Sequence, residues 1–237
     1  MVKELTMRTE QGFWTHEKRR DALVITLTVV TGSVDAIGLL RLGGVFTSVM
    51  TGNMVFLGIA ASEHSGSIAL HTGVAFAAYI IGSFLGARVA GHAPDDETHL
   101  WPRPIVTALF VELVFIAVFA VWWELVRGAP SPDISYALLG LNATALGIQS
   151  SAVLRFGLSG LSTTYLTGTL TQFVANFTKK GARLQARSGL ILLALIVGAG
   201  LGALCALHAP RIAPIVPLGF LSIVVFGAWT SFHRGVR

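Results

Sequence analysis

Six long apolar runs organise the chain, at residues 22–40, about 67–91, 104–126, 134–153, 188–208 and 213–231. Each approaches the roughly 20 residues an α-helix needs to cross a hydrocarbon core, so each predicts a membrane-spanning helix. Two further stretches, 45–61 and 161–177, are shorter and carry Thr, Asn, Gln and Gly throughout. They predict re-entrant or broken helices, tolerated in a bilayer only where protein or water satisfies their polar groups. The connectors "HAPDDETHLWPRP" and "RGAPSPDIS" are Pro-rich, Gly-containing and acidic turn material. The expected fold class is an all-α polytopic membrane protein. Its parts are a basic tail at 1–20, membrane repeats at 21–127 and 134–231, and a short tail at 232–237.

The repeat emerges when the chain is slid along itself by 116 positions. Thr47 then meets Thr163, Thr51 meets Thr167, and Gly52 meets Gly168, while Gly82 and Gly86 meet Gly198 and Gly202. A two-residue change in the preceding segment brings Asp35 opposite Gln149 and Arg41 opposite Arg155. With six crossings each half holds three, and an odd number inverts the second half relative to the first. Eight crossings in two parallel halves of four is the alternative.

Composition agrees with the pattern. The chain is 53% hydrophobic and 12% charged, and its mean hydropathy of +0.71 leaves too little polar surface to coat a soluble globule of 237 residues. The net charge of +5 is gathered in short clusters between apolar runs, which suits lipid headgroups and not nucleic acid. Six spans place 14 of the 17 Lys and Arg on the inner side, leaving Arg41, Arg127 and Arg211 outside. That asymmetry predicts cytoplasmic termini in a bacterial inner membrane. The first twenty residues, "MVKELTMRTEQGFWTHEKRR", contain no apolar core of their own, so the first span reads as uncleaved.

The candidate chemistry lies inside the apolar runs. A carboxylate in a bilayer is costly unless paired or protonated, which makes Asp35 and Glu112 functional candidates. The structural alternative for Asp35 is an ion pair with Arg41 or Arg155. The stretches "TSVMTGN" and "TTYLTGTLTQ" supply Thr47, Thr51, Gly52 and Asn53 in one half, and Thr163, Thr167, Gly168, Thr169 and Gln172 in the other. Hydroxyl and carbonyl oxygens can replace the hydration of a polar solute or cation without importing charge, and Gln149 adds an amide. Their structural alternative is adhesion between helices, the role also assigned to the pairs Gly82 with Gly86 and Gly198 with Gly202.

The segments "VTGSVDAIGLLRLGGVFTSVMTGNMVFLG" and "LGIQSSAVLRFGLSGLSTTYLTGTLTQFVANF" resemble the two signature regions of the YoaK-like, UPF0700-type family of bacterial integral membrane proteins. The shared pattern is an Asp followed by F-x-x-x-x-TGN, then G-x-Q followed by T-x-x-x-TGT. Ser150 departs from it, standing where the family more often has Asn. The resemblance implies a multi-span inner-membrane protein without an agreed function.

The residues therefore predict a secondary transporter or facilitator of a small polar solute or ion, its site formed where the two TG motifs meet. A non-transporting membrane scaffold or assembly factor is the alternative. No enzyme, metal or cofactor is expected: "HEKRR" is not HExxH, the seven histidines are scattered, and Cys205 lies among apolar neighbours with no partner. The partners expected are the lipid bilayer and an unidentified small solute or ion, with no nucleic acid. Self-association into a homo-oligomer is compatible with this surface.

Overall fold

A computed structural model describes residues 2–91, 102–155, 163–164, 166–175 and 182–234. Residues 179–181 of the basic "KKGAR" run and most of the acidic connector after Gly91 lie outside the described residues. Among those residues there are eight α-helices, a 3-10 turn and no strand. They are α1 (Val2–Arg41), α2 (Met50–Glu63), α3 (Gly66–Ala90), α4 (Arg103–Leu125), α5 (Pro132–Leu154), α6 (Leu166–Ala175), α7 (Ala182–His208) and α8 (Ile215–Arg234), with the turn at Pro210–Ile212.

Six of these are long and apolar enough to cross a membrane: α1 from Lys18 onward, α3, α4, α5, α7 and α8 with its preceding turn. At 14 and 10 residues, α2 and α6 extend only about 21 and 15 Å, short of the ~30 Å hydrocarbon core. The enclosed helices are α1 and α5, with 72% and 67% of their apolar windows buried, against 17% for α3. Large side chains such as Ile80, Phe84, Val121, Ile196 and Phe226 face outward from the remaining helices, as a lipid-solvated surface requires.

Cross-packing of the helices sets the architecture. The most extensive pairings join α1 to α7 and α3 to α5, and glycines bring both pairs into backbone contact. A methyl group added at Gly82 would lie 2.1 Å from the Thr144 carbonyl oxygen, and one at Gly86 would lie 2.7 Å from that of Ile148. Gly198 and Gly202 stand in the same way against the carbonyls of Val29 and Ser33, at 2.2 and 2.5 Å. Gly32 and Gly147 approach from the opposite side of each seam, against Leu195 and Tyr79. Close approach without side chains lets dispersion and weak backbone contacts hold helices that gain nothing from hydrophobicity in lipid. Residue numbers rise together along both seams, so each pair is parallel.

The ends of the helices sort onto two faces. On one face, the Arg41 Nε at the end of α1 donates to the Ala206 carbonyl near the end of α7 (3.0 Å). There too the Trp123 Nε1 at the end of α4 donates to Pro210 O (2.7 Å), and the His71 and Tyr136 rings meet, tilted by 44°, near the starts of α3 and α5 (4.3 Å). On the other face, Arg19 bonds Thr230 at the end of α8 (3.0 Å), and Arg187 lies 3.8 Å from Asp21. Helices α1 and α5 therefore run in opposite directions. Arg41, Arg127 and Arg211 share the first face, while Lys18, Arg19, Arg20, Arg88, Arg103, Arg155 and Arg187 lie toward the second.

Cysteines introduced at Glu63 and Gln185 in a Cys205→Ala background are expected to react with impermeant reagents from opposite sides of the membrane. The end of α2 adjoins the start of α3 on the first face, whereas Gln185 lies at the start of α7 on the second. Labelling of both from one side would contradict this layout.

Candidate polar centre on the first helix

The chain leaves α1 and turns back into the bundle. Gly43 and Gly44 carry φ of +98° and +75°, a conformation that residues with a Cβ rarely adopt. A side chain at Gly43 would also collide with the His71 ring. The incoming loop then reaches Asp35, six residues or about 9 Å before the helix end. Its Oδ1 accepts hydrogen bonds from the Thr47 N–H (2.8 Å), the Thr47 hydroxyl (2.7 Å) and the Ser48 N–H (2.8 Å). The Oδ2 accepts from the Ser48 hydroxyl. This carboxylate stands just ahead of the α2 N-terminus, where free backbone donors favour negative charge.

Asn53 closes the same loop. Its Nδ2 donates to the Phe46 carbonyl (2.7 Å), and its Oδ1 accepts from the Phe46 N–H (3.1 Å). The asparagine of the TGN motif is thus a two-point clasp, fully buried. Backbone groups that hydrocarbon would leave unpaired are satisfied inside the protein, which is the condition for irregular chain at membrane depth.

A second polar junction forms from the other half of the chain. The Gln149 Nε2, six residues before the Arg155 cap of α5, donates to Thr163 Oγ1 (2.9 Å) and to Thr31 Oγ1 of α1 (2.8 Å). The Ser150 hydroxyl bonds the Leu146 carbonyl (2.7 Å) and lies 3.2 Å from Thr164 Oγ1. Thr31 and Asp35 are four residues apart, neighbours on one face of α1 and about 6 Å apart along its axis. Polar contacts from the two halves therefore reach α1 one turn apart, the loop before α2 at Asp35 and Gln149, itself bonded to Thr163, at Thr31. Among the described residues, Gln149 Oε1 is buried there without a hydrogen-bond partner.

The sequence-predicted residues divide accordingly. Asp35, Thr47, Gln149 and Thr163 are brought together around α1, and all are buried. Thr51, Thr167, Gly168 and Gln172 are exposed on the short helices, Gly52 is half-buried, and Thr169 is buried. The short helices pack elsewhere, α2 on α3 and α6 on α7, so the expected meeting of the TG motifs themselves is not what the structure presents. The threonine four residues ahead of each motif makes the approach instead, because each short helix starts deep and climbs outward. The alternative of an ion pair is also not met: among the described residues neither Arg41 nor Arg155 pairs with Asp35, whose oxygens are taken by Thr47 and Ser48. Glu112 is fully buried in the middle of α4, with no partner on either oxygen among the described residues.

Sequence reasoning passed over Thr31, Ser48 and Thr164. Thr31 was signalled by its position one turn before Asp35, and Ser48 and Thr164 by following the paired threonines. An apolar groove lined by Val114, Ala117, Val118, Val121, Trp122 and Leu125 lies on the outer surface of α4 and includes none of the polar centre.

Comparison with known proteins settles the kinship. The family described as "Protein of unknown function (DUF1275)" matches residues 23–227, a range that contains both junctions. The chain belongs to this DUF1275 family. It is similar to the UPF0700 transmembrane protein YoaK of Bacillus subtilis (strain 168), with 33% identity over 159 residues, 67% of this chain and 68% of the relative. No solved structure matches it. Family membership and the six apolar helices make this a multi-pass membrane protein, and the family resemblance carried by the two signature segments holds.

Proposed function

We propose that this DUF1275 protein is a secondary transporter or facilitator of a small polar solute or ion across the bacterial inner membrane, with both termini cytoplasmic. One observation carries the reading: Thr47, ahead of one short helix, bonds Asp35 of α1, while Thr163, ahead of the other, bonds Gln149, which bonds Thr31 one turn away on α1. Such paired approach toward the midplane is how transporters with inverted repeats build a site. In support of duplication, α1 lies on α7 as α5 lies on α3, and the contacts of Gly198 and Gly202 differ from those of Gly82 and Gly86 by a constant 115 positions. The grouping of Arg41, Arg127 and Arg211 on one face, against the remaining basic helix ends on the other, supports the orientation.

Within this centre the solute ligands are the Gln149 Oε1 and the Thr163 hydroxyl, which keep hydrogen-bonding capacity. Asp35 is the anchor of the re-entrant loop. The saturation of Asp35 and the backbone-to-backbone helix seams favour a second reading, a non-transporting scaffold. Uptake of a panel of small polar solutes and ions into sealed vesicles separates the two. Once a solute is found, Thr163→Val is expected to raise its KM with insertion unchanged, while Thr167→Val on the exposed face leaves it unaltered. Equal kinetics for wild type and a folded Thr163→Val protein would remove Thr163 from the site.

A further inference from the structure

Glu112 takes no part in the polar centre, yet it is the other acid placed wholly inside the bundle. It stands nine residues into α4, about 14 Å from the Arg103 end, on the face that carries Ala108, Leu109 and Ile116 into the apolar core. Its exposure is 0%. The elements packed against α4 offer it nothing. Asp133 and Tyr136 of α5, His71, Tyr79 and Arg88 of α3, and Arg211 of the turn make no hydrogen bond or ion pair with it, and α8 has no titratable group between Ile215 and Ser231. Asp35 on α1 is occupied by Thr47 and Ser48.

An ionised carboxylate without counter-charge or donor costs several kcal/mol in such a place, whereas the uncharged acid costs less. Other unpartnered groups lie at comparable depth on α5, the helix packed against α4. Among the described residues, Asn142 is buried with both amide atoms unpaired, and Gln149 Oε1 is unpaired as well. The two stand seven residues apart on one face of α5, which runs antiparallel to α4. Counted from the shared face, Gln149 lies about 9 Å deep and Asn142 about 20 Å deep, with Glu112 between them. Buried polar groups left unpaired in one conformation mark the place where another conformation supplies water or a ligand.

We propose that Glu112 is a proton-binding site in the α4–α5 seam that couples solute movement at the Gln149–Thr163 junction to the proton gradient. This rests on the transport reading above. The described conformation is the one in which Glu112 carries its proton. Opening of the seam to water along Asn142 and Gln149 lets the proton leave as a hydronium ion and leaves the carboxylate hydrated. Solute and proton then cross in linked steps because both depend on the same face of α5.

The test uses the full-length protein in liposomes. At neutral pH the infrared spectrum of the wild type is expected to contain the carbonyl band of a protonated carboxylic acid, shifted by carbon-13 labelling of glutamate and missing from Glu112→Gln. The amide keeps the shape of the acid without its charge, so the variant is expected to fold, and the isotope shift in the wild type tests the site should it not. With a transported solute, wild-type flux is accompanied by proton movement, whereas Glu112→Gln carries the solute and moves no protons. Absence of the band from folded wild type, or its persistence in Glu112→Gln, overturns the proton site and leaves the transport reading standing. Solute flux without proton movement in the wild type overturns the coupling alone. If no solute crosses at all, the transport reading fails and the coupling falls with it, even where the band is present.

Discussion

Asp35→Asn is expected to destabilise the folded protein by roughly 2–4 kcal/mol, since a hydrogen bond to a charged group contributes about 1.5–3 kcal/mol, the one on Oδ2 is lost or reversed, and the three on Oδ1 are weakened. The carboxylate accepts from two backbone amides and two hydroxyls. An asparagine keeps one acceptor and turns an NH2 group toward groups that only donate or must reorient. Loss of the charge also weakens the bonds that remain. The measurable outcome is a lower thermal midpoint in detergent and faster proteolysis within residues 42–50. A midpoint equal to that of wild type would show that the loop is held by something other than Asp35. The structural consequence precedes any functional one, because the loop pinned by Asp35 is also the one that delivers Thr47.

The second large effect concerns the helix seams. Gly82→Ala and Gly198→Ala are each expected to cost about 1–3 kcal/mol through overpacking. The added methyl would meet a backbone carbonyl at 2.1 or 2.2 Å, and a backbone carbonyl cannot swing aside as the end of a side chain can. Gly168→Ala is the control, since nothing lies within 4 Å of its added methyl. Thermal midpoints for the three variants therefore separate into two groups. Similar values for all three would mean that α1 and α7, and α3 and α5, are not held at the described separation.

The six spans were legible because length and apolar content alone distinguish a bilayer-crossing helix. The two short elements were legible as interruptions, but their bounds were not. The predicted 45–61 and 161–177 became Met50–Glu63 and Leu166–Ala175, since residues 45–49 and 163–164 are irregular chain. That irregular chain decides the site. A motif such as TGN announces polar chemistry, yet only the path of the chain shows that Thr47, and not Thr51, arrives at α1.

The partner of Asp35 was hidden for a related reason. Arg41 is the nearest opposite charge in sequence, but six helical residues turn the chain by about 240° and aim it away. Thr47 and Ser48 lie farther along the chain and return only through the turn at Gly43 and Gly44. The glycine pairs announced close packing without naming what they pack upon. Gly32 and Gly147 belong to no spaced pair in the sequence, although their contacts are as tight. Glu112 was visible as an intramembrane acid, while its lack of any partner depends on what α3, α5 and α8 bring to it.

The crossed pairing of α1 with α7 and α5 with α3 also bears on how the molecule is made. A ribosome feeding this chain into the membrane delivers α1 long before α7, with all of α2 through α6 between them. Until α7 emerges, the groove of α1 that receives Gly198 and Gly202 has no occupant, and its Thr28, Thr31 and Ser33 face lipid or the insertion machinery. The first half of the chain cannot close upon itself, because both long seams cross the boundary between halves. Assembly therefore waits on the end of translation, and the waiting helix is the one most enclosed in the finished protein.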